Sequence, residues 1–242
     1  MKSIKHLLWA TALLLTGCGD APDVAGDAQV GEPPAGLTPA DEAQTLAAEQ
    51  ADTAPTSGRF QLGTHYQRLS PTQPTSSSAE QVEVAEVFWY GCPHCYTFDP
   101  YLESWEADKP GYVSFVRVPA VWNPLLQLHA RAFYTAQELG KGEEMHDAFF
   151  AEIHENGNQL DSREALAEFF GRFDVDAEAF DRAFDSFEVH TKLQRAEELS
   201  RRYRITSVPS IVVNGKYTTD GTSAGSYELL IELIDELAAS ER

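Results

Sequence analysis

Residues 81 to 95, QVEVAEVFWYGCPHC, constrain the fold more than any other part of the chain. The β-branched and aromatic run from Gln81 to Tyr90 has the composition of a central strand. It passes without a spacer into Gly91-Cys92-Pro93-His94-Cys95, and a helical pattern follows from Tyr96 to roughly Ala107. A strand that feeds a helix in this way sets Cys92 at the first turn, where Pro93 fits because its missing N–H would have no partner. By period-two counting Val82, Val84, Glu86 and Phe88 share one strand face, so an acid interrupts an apolar row. On residue pattern alone, Glu86 reads as an exposed strand position.

The rest of the chain extends this frame. Tyr112 to Val118 is expected as another strand, and the region from Leu125 to Tyr203 as a block of helices. Within that block Phe180, Phe184 and Phe187, and Leu166 with Phe169 and Phe170, recur at helical spacing and are expected in the core. Asp161-Ser162-Arg163-Glu164 has the form of a helix start with an acid three residues beyond the cap. Ser210 to Val213 and Lys216 to Thr218 flank Asn214-Gly215, a hairpin signal. A terminal helix is expected from Ser226 to Ala239, with Leu229, Leu230, Leu233, Ile234 and Leu237 on one face. The resulting order is a small α/β sheet with a helical insertion over about 124–203.

The N-terminus has the pattern of a targeting segment. Lys2 and Lys5 precede the apolar run Leu7 to Leu15, which as a helix spans about 14 Å against about 30 Å of hydrocarbon. Leu15-Thr16-Gly17-Cys18 resembles a bacterial lipobox, with small residues before the cysteine. An ordinary signal peptide with a chance cysteine is the alternative. The lipobox reading makes 1–17 a lipoprotein signal peptide and Cys18 the acylated first residue of the mature protein. Several acyl chains there give a durable anchor where one gives only a marginal one. Residues 18–58 are expected as a flexible tether, because they carry eight acids, no lysine or arginine and few large apolar residues. Such a coil reaches about 35 Å. Residues 59–242 then form the folded domain.

Charge and cysteine count exclude several functions. A formal charge of -20 and the lack of lysine and arginine clusters argue against binding a phosphate backbone, so no nucleic acid is expected as a partner. Once Cys18 is acylated, Cys92 and Cys95 are the only thiols left. Zinc usually takes four ligands, and one CxxC supplies two; the histidines outside the motif show no metal-binding spacing, so no metal is expected. A structural bridge across two residues would restrict the unfolded chain little. Reactivity remains. A cysteine at a helix start faces unpaired N–H groups and the positive end of the helix dipole, which stabilise its thiolate. His94 can add a hydrogen bond or a charge beside the sulfur, and Cys95, one turn deeper, is placed as the shielded partner.

Phe88-Trp89-Tyr90-Gly91-Cys92-Pro93-His94-Cys95-Tyr96, with Ser207-Val208-Pro209-Ser210 and Val213-Asn214-Gly215-Lys216-Tyr217 downstream, resembles the DsbA family of bacterial periplasmic thiol oxidases. The resemblance covers the chain from about Phe60 onward and implies a thioredoxin-like fold with a helical domain inserted into it. It implies a thiol:disulfide oxidoreductase that needs no cofactor and donates a disulfide to exported, reduced proteins through Cys92 and Cys95. Pro209 would be the cis-proline facing the sulfurs, with Val208 exposing its backbone to an extended substrate. Glu86 matches the family's buried acid six residues before the first cysteine, which relays protons for Cys95. Asp99 stands where the family often has a longer acid, with a solvated helix position as the alternative. Gly91 departs from the aromatic common at that place, while His129 and His146 are left as surface or core histidines. The implied setting is the periplasm of a Gram-negative bacterium, with a DsbB-type membrane reoxidant and a monomeric enzyme anchored through lipid. Gly19, where an aspartate would favour inner-membrane retention, leaves the choice of membrane open. A disulfide reductase or isomerase of the same fold, and a non-catalytic lipoprotein that binds extended polypeptides, are the competing functions.

Overall fold

A computed structural model of the chain describes residues 58–242. The expected signal segment, Cys18 and nearly all of the expected tether lie outside the described residues. Among the described residues no helix is long and apolar enough to cross a membrane.

Five strands form one sheet: β1 (Gln67–Arg68), β2 (Val82–Phe88), β3 (Val113–Pro119), β4 (Ser210–Val213) and β5 (Tyr217–Thr219). Their order is β1-β5-β4-β2-β3. β2 and β3 run parallel with Glu86 opposite Arg117, while β4 lies antiparallel on the other side of β2. Central placement explains the composition of β2, since all seven of its residues are buried. The crossover from β2 to β3 is α1 (Pro93–Asp108), which begins at the cysteine motif.

Between β3 and β4 lies the helical insertion: α2 (Pro124–Glu138), α3 (Gly142–His154), α4 (Arg163–Gly171), α5 (Ala177–Phe184) and α6 (Phe187–Arg202). After the β4–β5 hairpin come the short α7 (Gly221–Ala224) and the terminal α8 (Tyr227–Ser240). The hairpin turns at Asn214 and Gly215, both at positive φ. Alternation along β2 sends side chains into two apolar clusters. Val82 and Val84 pack with Phe98 and Leu102 of α1 and with Leu230 and Leu233 of α8. Ala85 and Val87 belong to the cluster that unites the sheet with the insertion through Phe133, Phe149 and Phe150.

Several expectations need correction. Phe180 and Phe184 are buried, but Phe187 is 77% exposed. α5 stops at Phe184 and Ser186 caps a new helix, which breaks the helical phase the three phenylalanines share in sequence. The cap of α4 is Ser162, whose side chain accepts the Ala165 N–H, so Glu164 sits two residues past it rather than three. Lys216 belongs to the turn rather than to β5. The two-residue edge strand β1 and the single turn α7 were not anticipated, being too short for any periodic signal. Glu86 is buried at 1% exposure, against its pattern as a solvent-facing strand position.

Candidate active site

Cys92 is the N-cap of α1, with φ −88° and ψ 116°, and Pro93 occupies the first helical position. The chain arrives there through a turn in which the Cys92 N–H bonds the Trp89 carbonyl at 3.0 Å. Both cysteines are free thiols, Cys92 at 7% exposure and Cys95 fully buried, while Pro93 and His94 are exposed. Their environments push them in opposite directions. The Cys95 thiol donates to Cys92, and with the backbone N–H groups of Cys95 and His94 and the His94 imidazole it lowers the Cys92 pKa to about 6 against the cost of burial. Burial drives the Cys95 thiol far up, and its bond to Cys92 and the charge of Glu86 add to that.

The opposite wall comes from the loop before β4. The Val208–Pro209 peptide is cis, and the Cys92 thiol lies 3.5 Å from the Val208 carbonyl oxygen, positioned to donate to it. The structure therefore brings Cys92, His94, Cys95, Val208 and Pro209 together at one end of the sheet. Tyr227, at the start of α8, completes this end: its hydroxyl donates to the His94 carbonyl at 3.2 Å and its ring stacks on Phe98.

Glu86 lies beneath the motif in mid-sheet, within electrostatic reach of both sulfurs. Burial raises its pKa to about 8, and this outweighs the opposing Arg117, whose Nε stands 3.6 Å from the carboxylate. Among the described residues neither Glu86 oxygen has a hydrogen-bond partner. Asp99 is buried too, contrary to a solvated helix position. It meets the Arg117 guanidinium at 3.3 Å and His146 Nε2 at 3.2 Å.

Sequence reasoning missed the residues that hold the motif from the insertion side. Tyr90 stacks on Phe149 with ring centroids 4.2 Å apart, and its hydroxyl meets His146 Nδ1 at 2.9 Å. Its carbonyl accepts from His154 Nε2 at 2.8 Å. Trp89 donates through Nε1 to His129 Nδ1 at 3.0 Å. Gly91 makes room for that indole, because a Cβ on it would come 2.3 Å from Trp89 Cζ2. His129 and His146 are thus core histidines with defined partners. Arg117 carried a readable signal, the lone charge in its strand, whereas the histidine contacts, at separations of 40 to 64 residues, had none.

A cysteine pair opening a helix on a sheet of this topology, with a cis-proline opposite, is the arrangement of a thiol:disulfide oxidoreductase of thioredoxin-like fold. Residues 115–232 match the family model of the DSBA-like thioredoxin domain. The thiol:disulfide interchange protein DsbA of Azotobacter vinelandii is 39% identical over 76% of this chain and 92% of its own length, and that of Pseudomonas aeruginosa is 38% identical over 76% and 86%. The crystal structure of Pseudomonas aeruginosa DsbA superposes with a TM-score of 0.72 at 38% identity, covering 76% of this chain and 95% of that one. Xylella fastidiosa DsbA gives 0.71 at 33% identity, covering 76% and 98%. The chain belongs to the DsbA family of thiol:disulfide oxidoreductases.

Proposed function

We propose that the chain is a thiol oxidase for exported proteins, working in the periplasm of a Gram-negative bacterium and held to a membrane by a lipid on Cys18. The observation that carries the catalytic part is the asymmetry of the pair: Cys92 acidified to about 6 and Cys95 buried with its thiol pushed up. At pH 7 about ten-elevenths of reduced Cys92 is then thiolate. Relative to an ordinary thiol this stabilises the reduced pair by about 1.4 kcal/mol, or about 30 mV towards oxidising power.

In the oxidised enzyme a substrate thiolate attacks Cys92 Sγ. The Cys92–Cys95 bond breaks with its electron pair on Cys95, which is too basic to remain ionised and takes a proton. Glu86, with its pKa raised to about 8, supplies that proton and takes it back on reoxidation. A second substrate thiolate then attacks the substrate sulfur of the mixed disulfide, and Cys92 leaves as a stabilised thiolate. Two substrate thiols become one disulfide while the enzyme disulfide becomes two thiols. Pro93 opens the helix that presents Cys92, His94 adds its charge beside the sulfur, and Val208 with Pro209 receives the extended substrate segment. A DsbB-type membrane partner reoxidises the pair, and the enzyme acts as a monomer at the end of its tether.

The test is the pH dependence of Cys92 alkylation, together with the equilibrium against glutathione. An alkylation midpoint near pH 6 and an oxidising couple are expected. A midpoint near 8.5 with a strongly reducing couple would favour the reductase reading, and full activity in C92S would exclude a redox role.

A further inference from the structure

The surface beside the cis-proline carries a charge pattern that the oxidase reading does not use. A groove of about 450 Å³ opens next to His94, between Val208-Pro209 and the start of α8. Its acids are Asp220 and Glu228, and among the described residues that line it there is no lysine or arginine. Asp220 is fixed by accepting the Ser223 N–H at 2.7 Å. Glu228 is exposed, and its own backbone N–H, Ser226 and the Tyr101 hydroxyl at 3.0 Å hold its carboxyl below the usual range. The groove continues past Glu228 into a second hollow of about 500 Å³. That hollow is walled by Tyr101, Trp105 and Ile231, ends at Asp108, and likewise has no lysine or arginine among its described lining residues.

An extended segment docked at Val208 advances about 3.3 Å per residue. Within a few residues of its cysteine it therefore passes carboxylates and aromatic faces. Lysine and arginine suit both, through charge and through cation–π contact on tyrosine. Acidic side chains meet repulsion from both carboxylates, and the chain's net charge of -20 acts in the same sense at long range.

We propose, on the basis of the oxidase reading, that this groove selects reduced polypeptide segments carrying lysine or arginine within a few residues of the reacting cysteine. His94, on the other side of the groove, belongs to the catalytic motif.

The experiment uses the full chain in its oxidised form and three cysteine peptides differing only in flanking lysine, glutamine or glutamate. The rate at which each consumes the Cys92–Cys95 disulfide is divided by its rate with a small uncharged disulfide, which cancels the effect of flanking charge on the thiol itself. The lysine peptide is expected to react about tenfold faster than the glutamate peptide at low salt, with the ratio falling to about twofold near 1 M salt, where screening acts within about 3 Å. D220N/E228Q is expected to collapse the ratio to about threefold or less. E188Q/E197Q, which removes as many charges from exposed positions of α6, is expected to keep it near tenfold. Equal normalised rates for the lysine and glutamate peptides overturn the inference while leaving the oxidase reading intact. So does a ratio undiminished in D220N/E228Q, or one lost equally in E188Q/E197Q. Failure of all three peptides to reduce the pair would instead overturn the oxidase reading.

Discussion

Replacing Glu86 by glutamine isolates the cost of placing an ionisable group in the middle of the sheet. In the unfolded chain the carboxyl titrates near 4.5, and in the folded protein burial holds it at about 8. The native state therefore binds this proton more tightly than the unfolded state does. Stability is fully present below pH 4.5 and is lost progressively as the pH rises to about 8. Each pH unit in that window costs about 1.4 kcal/mol, so the loss is about 3 kcal/mol at pH 7 and about 5 kcal/mol above pH 8. Glutamine ionises in neither state and escapes the loss. The assay is urea unfolding of wild type and E86Q, both kept reduced, from pH 4.5 to 8.5. Constant differences in packing cancel when each protein is compared with itself across pH. Between pH 4.5 and 7 the stability difference should move in favour of E86Q by about 3 kcal/mol, or about 6 to 12 °C in melting temperature for a domain of this size. Parallel pH profiles for the two proteins would refute the reasoning. They would mean that Arg117, opposite Glu86 in the register, keeps the carboxylate ionised despite its burial.

Two further expectations follow from particular contacts. Because the Cys95 thiol is the largest influence holding Cys92 down, C95A should move the alkylation midpoint of Cys92 up by about one to two pH units, while C95S, which keeps a donor, should move it less; equal midpoints in all three proteins would show that the helix start and His94 suffice. If Cys18 carries the lipid anchor, the wild-type chain should sediment with membranes and C18S should stay in the soluble fraction; C18S found with membranes would count against lipidation.

Much of this fold was legible because its signals are local. The hairpin could be read from Asn214-Gly215, since few residues other than asparagine and glycine accept two successive positive φ values. The helix start at Cys92 followed from proline chemistry, which needs no knowledge of the rest of the chain. Phe187 failed for the complementary reason: its spacing from Phe184 is helical, but Ser186 caps a new helix between them. Glu86 could be picked out as an interruption in an apolar row, yet its burial depends on what packs over the faces of the sheet, which no pattern along β2 reports.

What the sequence determined by itself is the strand-to-helix passage through Cys92 and Cys95, the order of the elements and the pairing of thiol chemistry with a helix start. These rest on forces acting over a few residues: backbone propensity, capping and side-chain period. The tertiary structure alone decided how far the two sulfurs differ. That difference needs Cys95 fully buried with its thiol turned to Cys92, and Glu86 enclosed at the sheet centre within electrostatic reach of Cys95. The walls of the site need Val208 brought from 116 residues away to within 3.5 Å of Cys92, and Tyr90 held from the insertion by His146 and His154. Burial and charge coupling depend on distance in space, and a pattern along the chain carries no measure of that distance.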